Sequence, residues 1–94
     1  MKKIIKLATS GNSMFPTICD GDTLLIDTYN SDYKINDIVV FYSNEPDGIK
    51  LTAHRITHNF GNRILITKGD NNPYEDPPVR FKRILGKVVG KLGE

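Results

Sequence analysis

Ile38-Val39-Val40-Phe41-Tyr42, then Pro46-Asp47-Gly48, then Ile49-Lys50-Leu51-Thr52-Ala53-His54-Arg55-Ile56-Thr57: two β-branched runs stand on either side of a cluster of turn formers. Such side chains suit a pleated surface, whereas Pro, Asp and Gly interrupt it. The same reading extends outward to residues 23–27, 64–67 and 84–89, each short, apolar and β-branched. Between them lie Asp20-Gly21-Asp22, Asn36-Asp37, Gly61-Asn62 and Asp70-Asn71-Asn72-Pro73. Strands at this spacing predict an all-β fold, a small barrel or sandwich. Little helix is expected, since no window carries a helical period and only one helical turn is anticipated, opening at Ser13 before Pro16. A small residue followed by Asp recurs at Gly21-Asp22, Asn36-Asp37 and Gly69-Asp70, and each Asp is expected to accept backbone N–H groups in a turn.

With 94 residues, 38% of them hydrophobic, the chain is expected to form one globular domain over residues 1–94. A chain this short buries only somewhat more than about 60% of its unfolded surface, so any active site must share residues with the edge of the core. The net charge of +2 conceals an asymmetry: residues 1–47 carry 4 basic and 7 acidic side chains, residues 48–94 carry 9 and 4. Arg80, Lys82, Arg83, Lys87 and Lys91 are interleaved with Ile84, Leu85, Val88 and Val89, the pattern of a half-exposed strand. Without an aromatic platform this describes a solvated edge, and no nucleic-acid partner is expected. The lone Cys19 excludes an internal disulfide and a zinc-ligand spacing. The basic start, Met1-Lys2-Lys3-Ile4-Ile5-Lys6-Leu7-Ala8, lacks the apolar stretch of a secretory signal, and no run of eighteen apolar residues follows. A chain without a membrane span, located in the cytoplasm, is the expectation.

Three segments carry the chemistry: Ser10-Gly11-Asn12-Ser13-Met14-Phe15-Pro16-Thr17, Ala53-His54-Arg55-Ile56, and Lys68-Gly69-Asp70-Asn71-Asn72-Pro73-Tyr74-Glu75-Asp76. Serine is a poor nucleophile until a base takes its proton, and histidine serves as that base when a third group fixes its tautomer. The segments supply Ser, His and Asp in that order. Gly11 admits a close substrate backbone, Pro16 stiffens the turn, and the Ser13 N–H is a candidate oxyanion donor. Met14 and Phe15 are expected to pack as anchors.

Gly11-Asn12-Ser13-Met14-Phe15-Pro16-Thr17 followed by Gly21-Asp22 resembles the nucleophile box of type I signal peptidases and the related self-cleaving repressor peptidases. Asn36-Asp37-Ile38-Val39-Val40-Phe41 resembles the family's Gly-Asp-hydrophobic strand, with Asn replacing Gly. His54-Arg55-Ile56 falls at the base box and Thr67-Lys68-Gly69-Asp70-Asn71-Asn72 at the last box, so the likeness runs in order over residues 9–76. Histidine before the box's Arg, where bacterial members have lysine, resembles the endoplasmic-reticulum and archaeal type. The resemblance implies a small signal peptidase-like β-barrel or sandwich and a serine endopeptidase acting on leader or signal-like peptides, with Ser13 as nucleophile, His54 as general base, and Asp76 and Asp70 as the aspartates that matter. Of these two, Asp76 is expected to orient His54, with Glu75 behind it. The expected partner is a peptide or protein substrate, and neither cofactor nor metal is implied.

Other readings stand beside this one. Cys19 is a rival nucleophile and His58, four residues after His54 on the same strand face, a rival base. Arg55 is read as a structural ion pair and Lys68 as a solvated strand end. As a whole, the chain also suits a catalytically idle module that holds extended peptides by strand addition, or a stand-alone relative of the repressor peptidase domains, although it has no helix-turn-helix segment.

Overall fold

The five apolar runs are strands, and most extend beyond their apolar residues. The structure, a computed structural model, describes residues 3–92. Its strands are β1 (Ile4–Ala8), β2 (Thr23–Asp27), β3 (Ile38–Glu45), β4 (Gly48–Asn59), β5 (Ile64–Lys68), β6 (Val79–Arg80) and β7 (Ile84–Leu92). They form one sheet in the order β1-β2-β7-β3-β4-β5-β6, with antiparallel neighbours throughout. The all-β expectation holds.

β3 explains how a single sheet encloses two apolar clusters. Successive side chains of a strand point to opposite faces. Val39 and Phe41 accordingly join Tyr33, Ile56, Leu65 and Val79 on one side, while Val40 joins Met14, Ile18, Leu24 and Ile26 on the other. A strand covered on both faces needs a continuous apolar run, which residues 38–41 supply. Register shifts between Leu25 and Ile26, Val40 and Phe41, and Ile56 and His58 bend the sheet around these clusters.

Three elements differ from the sequence reading. The turn at Ser13 does not become helical: one Ile18 N–H to Met14 carbonyl bond of 3.0 Å forms, and the next N–H, that of Cys19, donates to Asp22 Oδ2 at 2.8 Å instead of continuing the turn. The helical turn is instead the 3-10 turn Phe81–Arg83. Residues 4–8, read as the start of an inadequate signal, pair with β2 as an edge strand whose Ile5 and Leu7 pack on the second cluster. Met1 and Lys2 of that reading lie outside the described residues. Among the described residues no helix is long and apolar enough to cross a membrane.

The Asn that replaces Gly at position 36 has a conformational reason. Its φ of 80° is left-handed, a region that Asn tolerates better than most side chains. In that conformation Asn36 N–H donates to the Ile56 carbonyl, and Ile56 N–H donates to the Asp37 carbonyl. The turn thereby grips β4 two residues beyond His54.

Candidate active site

His54 owes its position to strand alternation. It lies opposite Val39 in the β3–β4 register, on the face it shares with Ile56, and is buried with the Phe41 ring edge-on at 6.1 Å. A polar side chain in a core-facing slot needs partners. His54 has two: Nε2 lies 3.1 Å from Ser13 Oγ, and Nδ1 lies 2.6 Å from Asp76 Oδ2.

The serine arrives on the loop between β1 and β2. Gly11 takes φ 90°, and its N–H donates to Asp20 Oδ1 at 2.8 Å. Met14 turns inward and is buried, whereas Phe15 turns outward and is 50% exposed, so only Met14 is the anchor expected of the pair. The turn after β5 holds the serine from the other side. Asn71 N–H donates to the Ser13 carbonyl at 2.8 Å, and Asn71 Nδ2 to the Asn12 carbonyl at 3.0 Å. Gly69 makes this approach possible: a Cβ there would stand 2.7 Å from the Ser13 carbonyl oxygen and 2.7 Å from Asn72 Nδ2.

Asp76 lies beyond the turn of residues 70–73, and its N–H donates to the Thr67 carbonyl at 2.8 Å. Thr67, fully buried on β5, returns its hydroxyl to Asp76 Oδ2 at 2.7 Å, the oxygen that faces His54. Burial pushes the Asp76 carboxyl up, but the hydrogen bonds of His54 and Thr67 outweigh it and hold the group below its ordinary value. Asp76 is therefore a carboxylate at neutral pH. Thr67 had no role assigned from sequence. Its signal was there: it alternates with Leu65, a hydroxyl where an apolar side chain is expected.

Asp70 lies elsewhere. Arg55 grips it with two prongs, Nε to Oδ1 at 2.8 Å and Nη2 to Oδ2 at 2.7 Å, and Thr17 adds a hydroxyl at 2.7 Å. The Arg55 guanidinium is the main reason that its carboxyl is held low, against the upward push of burial. Asp70 was expected to accept backbone N–H groups, as Asp22 does from Cys19 and Asp37 from Lys34. The planar guanidinium offers a better-matched pair of donors. Arg55 also donates to the Asn36 carbonyl at 2.9 Å, so one ion pair joins the nucleophile loop, β4 and the turn after β5.

The rivals stand apart. The register shift after Ile56 turns His58 outward, where it meets Glu75 at 3.1 Å. Cys19 Sγ lies 3.8 Å from the Pro16 carbonyl. Lys68 Nζ donates to the Gly69 carbonyl. Ser13, His54 and Asp76 instead line one groove of about 910 Å³ that continues past Met14, Phe41 and Thr52. Within it a hydroxyl, an imidazole and a carboxylate form a directed relay, the arrangement in which a serine can lose its proton as it attacks.

Among the described residues no group of three or more His, Cys, Asp or Glu side chains is arranged to hold a metal ion.

The Peptidase S24-like family model matches residues 2–89. A signal peptidase complex catalytic subunit SEC11 of Candida albicans is 38% identical over 93 residues, covering 85% of this chain and 54% of the relative. The corresponding subunit of Lodderomyces elongisporus is 39% identical with the same coverage, and that of Lachancea thermotolerans 32%, covering 85% and 55%. The chain thus spans about half the length of these relatives. They bear out the resemblance to the signal peptidase superfamily and its endoplasmic-reticulum type. They also overturn the cytoplasmic placement, because they are catalytic subunits of the signal peptidase complex. That placement rested on missing apolar segments, and a β-domain's own surface does not record the compartment in which it works.

Proposed function

The chain belongs to the Peptidase S24-like family, and from that premise we propose that it is a serine endopeptidase, one catalytic domain over residues 1–94, cutting leader or signal-like peptides. The observation that carries this reading is the unbroken relay from Ser13 Oγ through His54 to Asp76, with contacts of 3.1 and 2.6 Å.

In the proposed reaction the Ser13 hydroxyl proton passes to His54 Nε2 while Oγ bonds to the scissile carbonyl carbon. Asp76 accepts from Nδ1–H, which leaves Nε2 free to accept, and its negative charge stabilises the imidazolium that forms. The Ser13 N–H, which makes no hydrogen bond with another described residue, is the proposed donor to the oxyanion. Collapse breaks the carbon–nitrogen bond, and His54 returns the proton to the leaving amine. Water then attacks the Ser13 ester with His54 again as base. Arg55 and Asp70 hold the loops that carry Ser13 and Asp76. The SEC11 relatives are subunits of a complex, and we carry this over as a domain that works beside partner chains, which present the substrate.

A fluorophosphonate probe tests the reading. Wild-type protein should be labelled at Ser13, and Ser13→Ala should lose the label and lower cleavage of a leader peptide by on the order of 10⁴-fold or more without altering the melting temperature by more than a few degrees. Equal labelling of Ser13→Ala, or labelling that disappears with Cys19→Ala, refutes it.

A further inference from the structure

The groove continues beyond the relay toward the β3–β4 turn. His54, Thr52 and Lys50 occupy one face of β4, opposite Val39, Phe41 and Ser43 of β3. Polarity rises along this row: Phe41 is buried, Ser43 Oγ and Thr52 Oγ1 lie 2.8 Å apart, and Lys50 is exposed. The segment after Asp76 lines the same groove, through Arg80 and Lys82.

Arg83 completes this end. Its Nε donates to the Tyr42 carbonyl at 3.1 Å and its Nη2 to Asn44 Oδ1 at 3.0 Å, fixing the guanidinium against β3. Four cations therefore line the groove, while its acids are Glu45, which accepts from the Ser43 hydroxyl at 3.2 Å, and Asp76, which faces His54. Among the described residues no carboxylate forms an ion pair with Lys50, Arg80, Lys82 or Arg83, although Asp22, Asp32, Asp37 and Asp70 all pair with cations elsewhere. With four cations against two acids the groove carries net positive charge, and a concave site concentrates such a field on whatever enters.

We propose that this end of the groove binds acidic side chains of an extended peptide substrate. The inference rests on the peptidase reading and adds a substrate class to it. Lys50 lies four residues from His54, about 13 Å along the strand, so the acidic side chains belong roughly four residues from the scissile bond. An extended peptide reaching that far from Ser13 brings a carboxylate into the part of the groove that Lys50 and Arg83 line, with Arg80 and Lys82 adding to the positive field. Each exposed pair contributes modestly, and their sum gives selectivity.

The test is binding of three fluorescent peptides to the full chain carrying Ser13→Ala, which separates recognition from cleavage. One peptide is neutral, and the others carry two adjacent acidic residues centred four positions before or after the intended scissile bond. One of the acidic peptides should bind about three- to tenfold tighter than the neutral one at low salt. The gain should vanish near 1 M salt, where the Debye length is about 3 Å. It should also fall to less than about twofold when Lys50→Gln, Arg80→Gln and Lys82→Gln are combined; if the combination does not fold, each single substitution should lower the gain in part. Equal binding of all three peptides, or a gain that survives the Gln substitutions, overturns the proposal. Fluorophosphonate labelling of the wild type is read in parallel. Labelling without an acidic preference defeats this inference alone, and an acidic preference without labelling defeats the enzymatic reading alone.

Discussion

Asp76→Asn and Asp70→Asn each exchange one carboxylate oxygen for an amide nitrogen, yet the two should fail in different ways. Asp76 Oδ2 accepts hydrogen bonds from both His54 Nδ1 and Thr67 Oγ1. With the amide nitrogen turned toward His54, Nδ1 must accept, and the ring proton moves to Nε2, facing Ser13. With the amide oxygen in that place both bonds survive, but the negative charge that stabilises the imidazolium is gone. Turnover should fall about 10³- to 10⁴-fold, the size known for a misdirected tautomer in a serine–histidine–aspartate site. Stability should change by about 1 kcal/mol, since the neighbouring polar groups keep a partner. Asp70→Asn instead loses the charge between the two prongs of Arg55. That pair is 30% and 19% exposed, so solvent already screens it, and the loss should be about 1 to 2 kcal/mol. For a domain of this size the melting temperature falls by roughly 4 to 16 °C, while turnover stays within about tenfold because Asp70 does not touch the relay. Thermal melts and steady-state cleavage of both variants decide the matter. A stable but inactive Asp70→Asn beside an active Asp76→Asn would refute the reasoning.

Three further predictions follow from the geometry. Thr67→Val keeps the shape but removes one of the two donors to Asp76, so turnover should drop roughly tenfold and recover in Thr67→Ser; equal turnover in all three proteins denies Thr67 a positioning role. Gly69→Ala drives a Cβ against the Ser13 carbonyl oxygen, and should cost about 1 to 3 kcal/mol and slow fluorophosphonate labelling of Ser13; unchanged melting and labelling would mean that the loops separate freely. The Asp70 carboxyl is held below its ordinary value of 3.8. The stability it confers is complete above that value and lost as pH falls through the lower folded-state value. Melting temperature should therefore fall from about pH 4 downward, less steeply in Asp70→Asn, and parallel acid limbs would exclude the ion pair as a cause.

Strands were readable wherever the apolar residues were β-branched and contiguous, as in residues 38–42, because burial on both faces leaves a mark that survives without its neighbours. β1 and β6 were not. Residues 4–8 alternate Ile and Leu with Lys in a pattern shared by an edge strand and a leader, and Val79–Arg80 is too short to carry a period. Ser13, His54 and the acidic turn were legible as boxes, since each chemical part requires particular residue types. The acidic substrate arm was foreshadowed by the excess of cations in residues 48–94, but a linear tally does not tell a groove wall from a solvated edge.

By itself the sequence determined an all-β chain, five of its strands with the turns between them, and which side chains are chemically able to act. Tertiary structure decided which of them meet. Asp70 and Asp76 are six residues apart and bear the same carboxyl group, yet the intervening turn sends one to a guanidinium and the other to an imidazole. A shift of register after Ile56 likewise separates His58 from the buried face that His54 occupies. Contacts such as these join residues 41 and 22 positions apart. Their geometry depends on strand pairing and loop packing across the whole sheet, which no local pattern encodes.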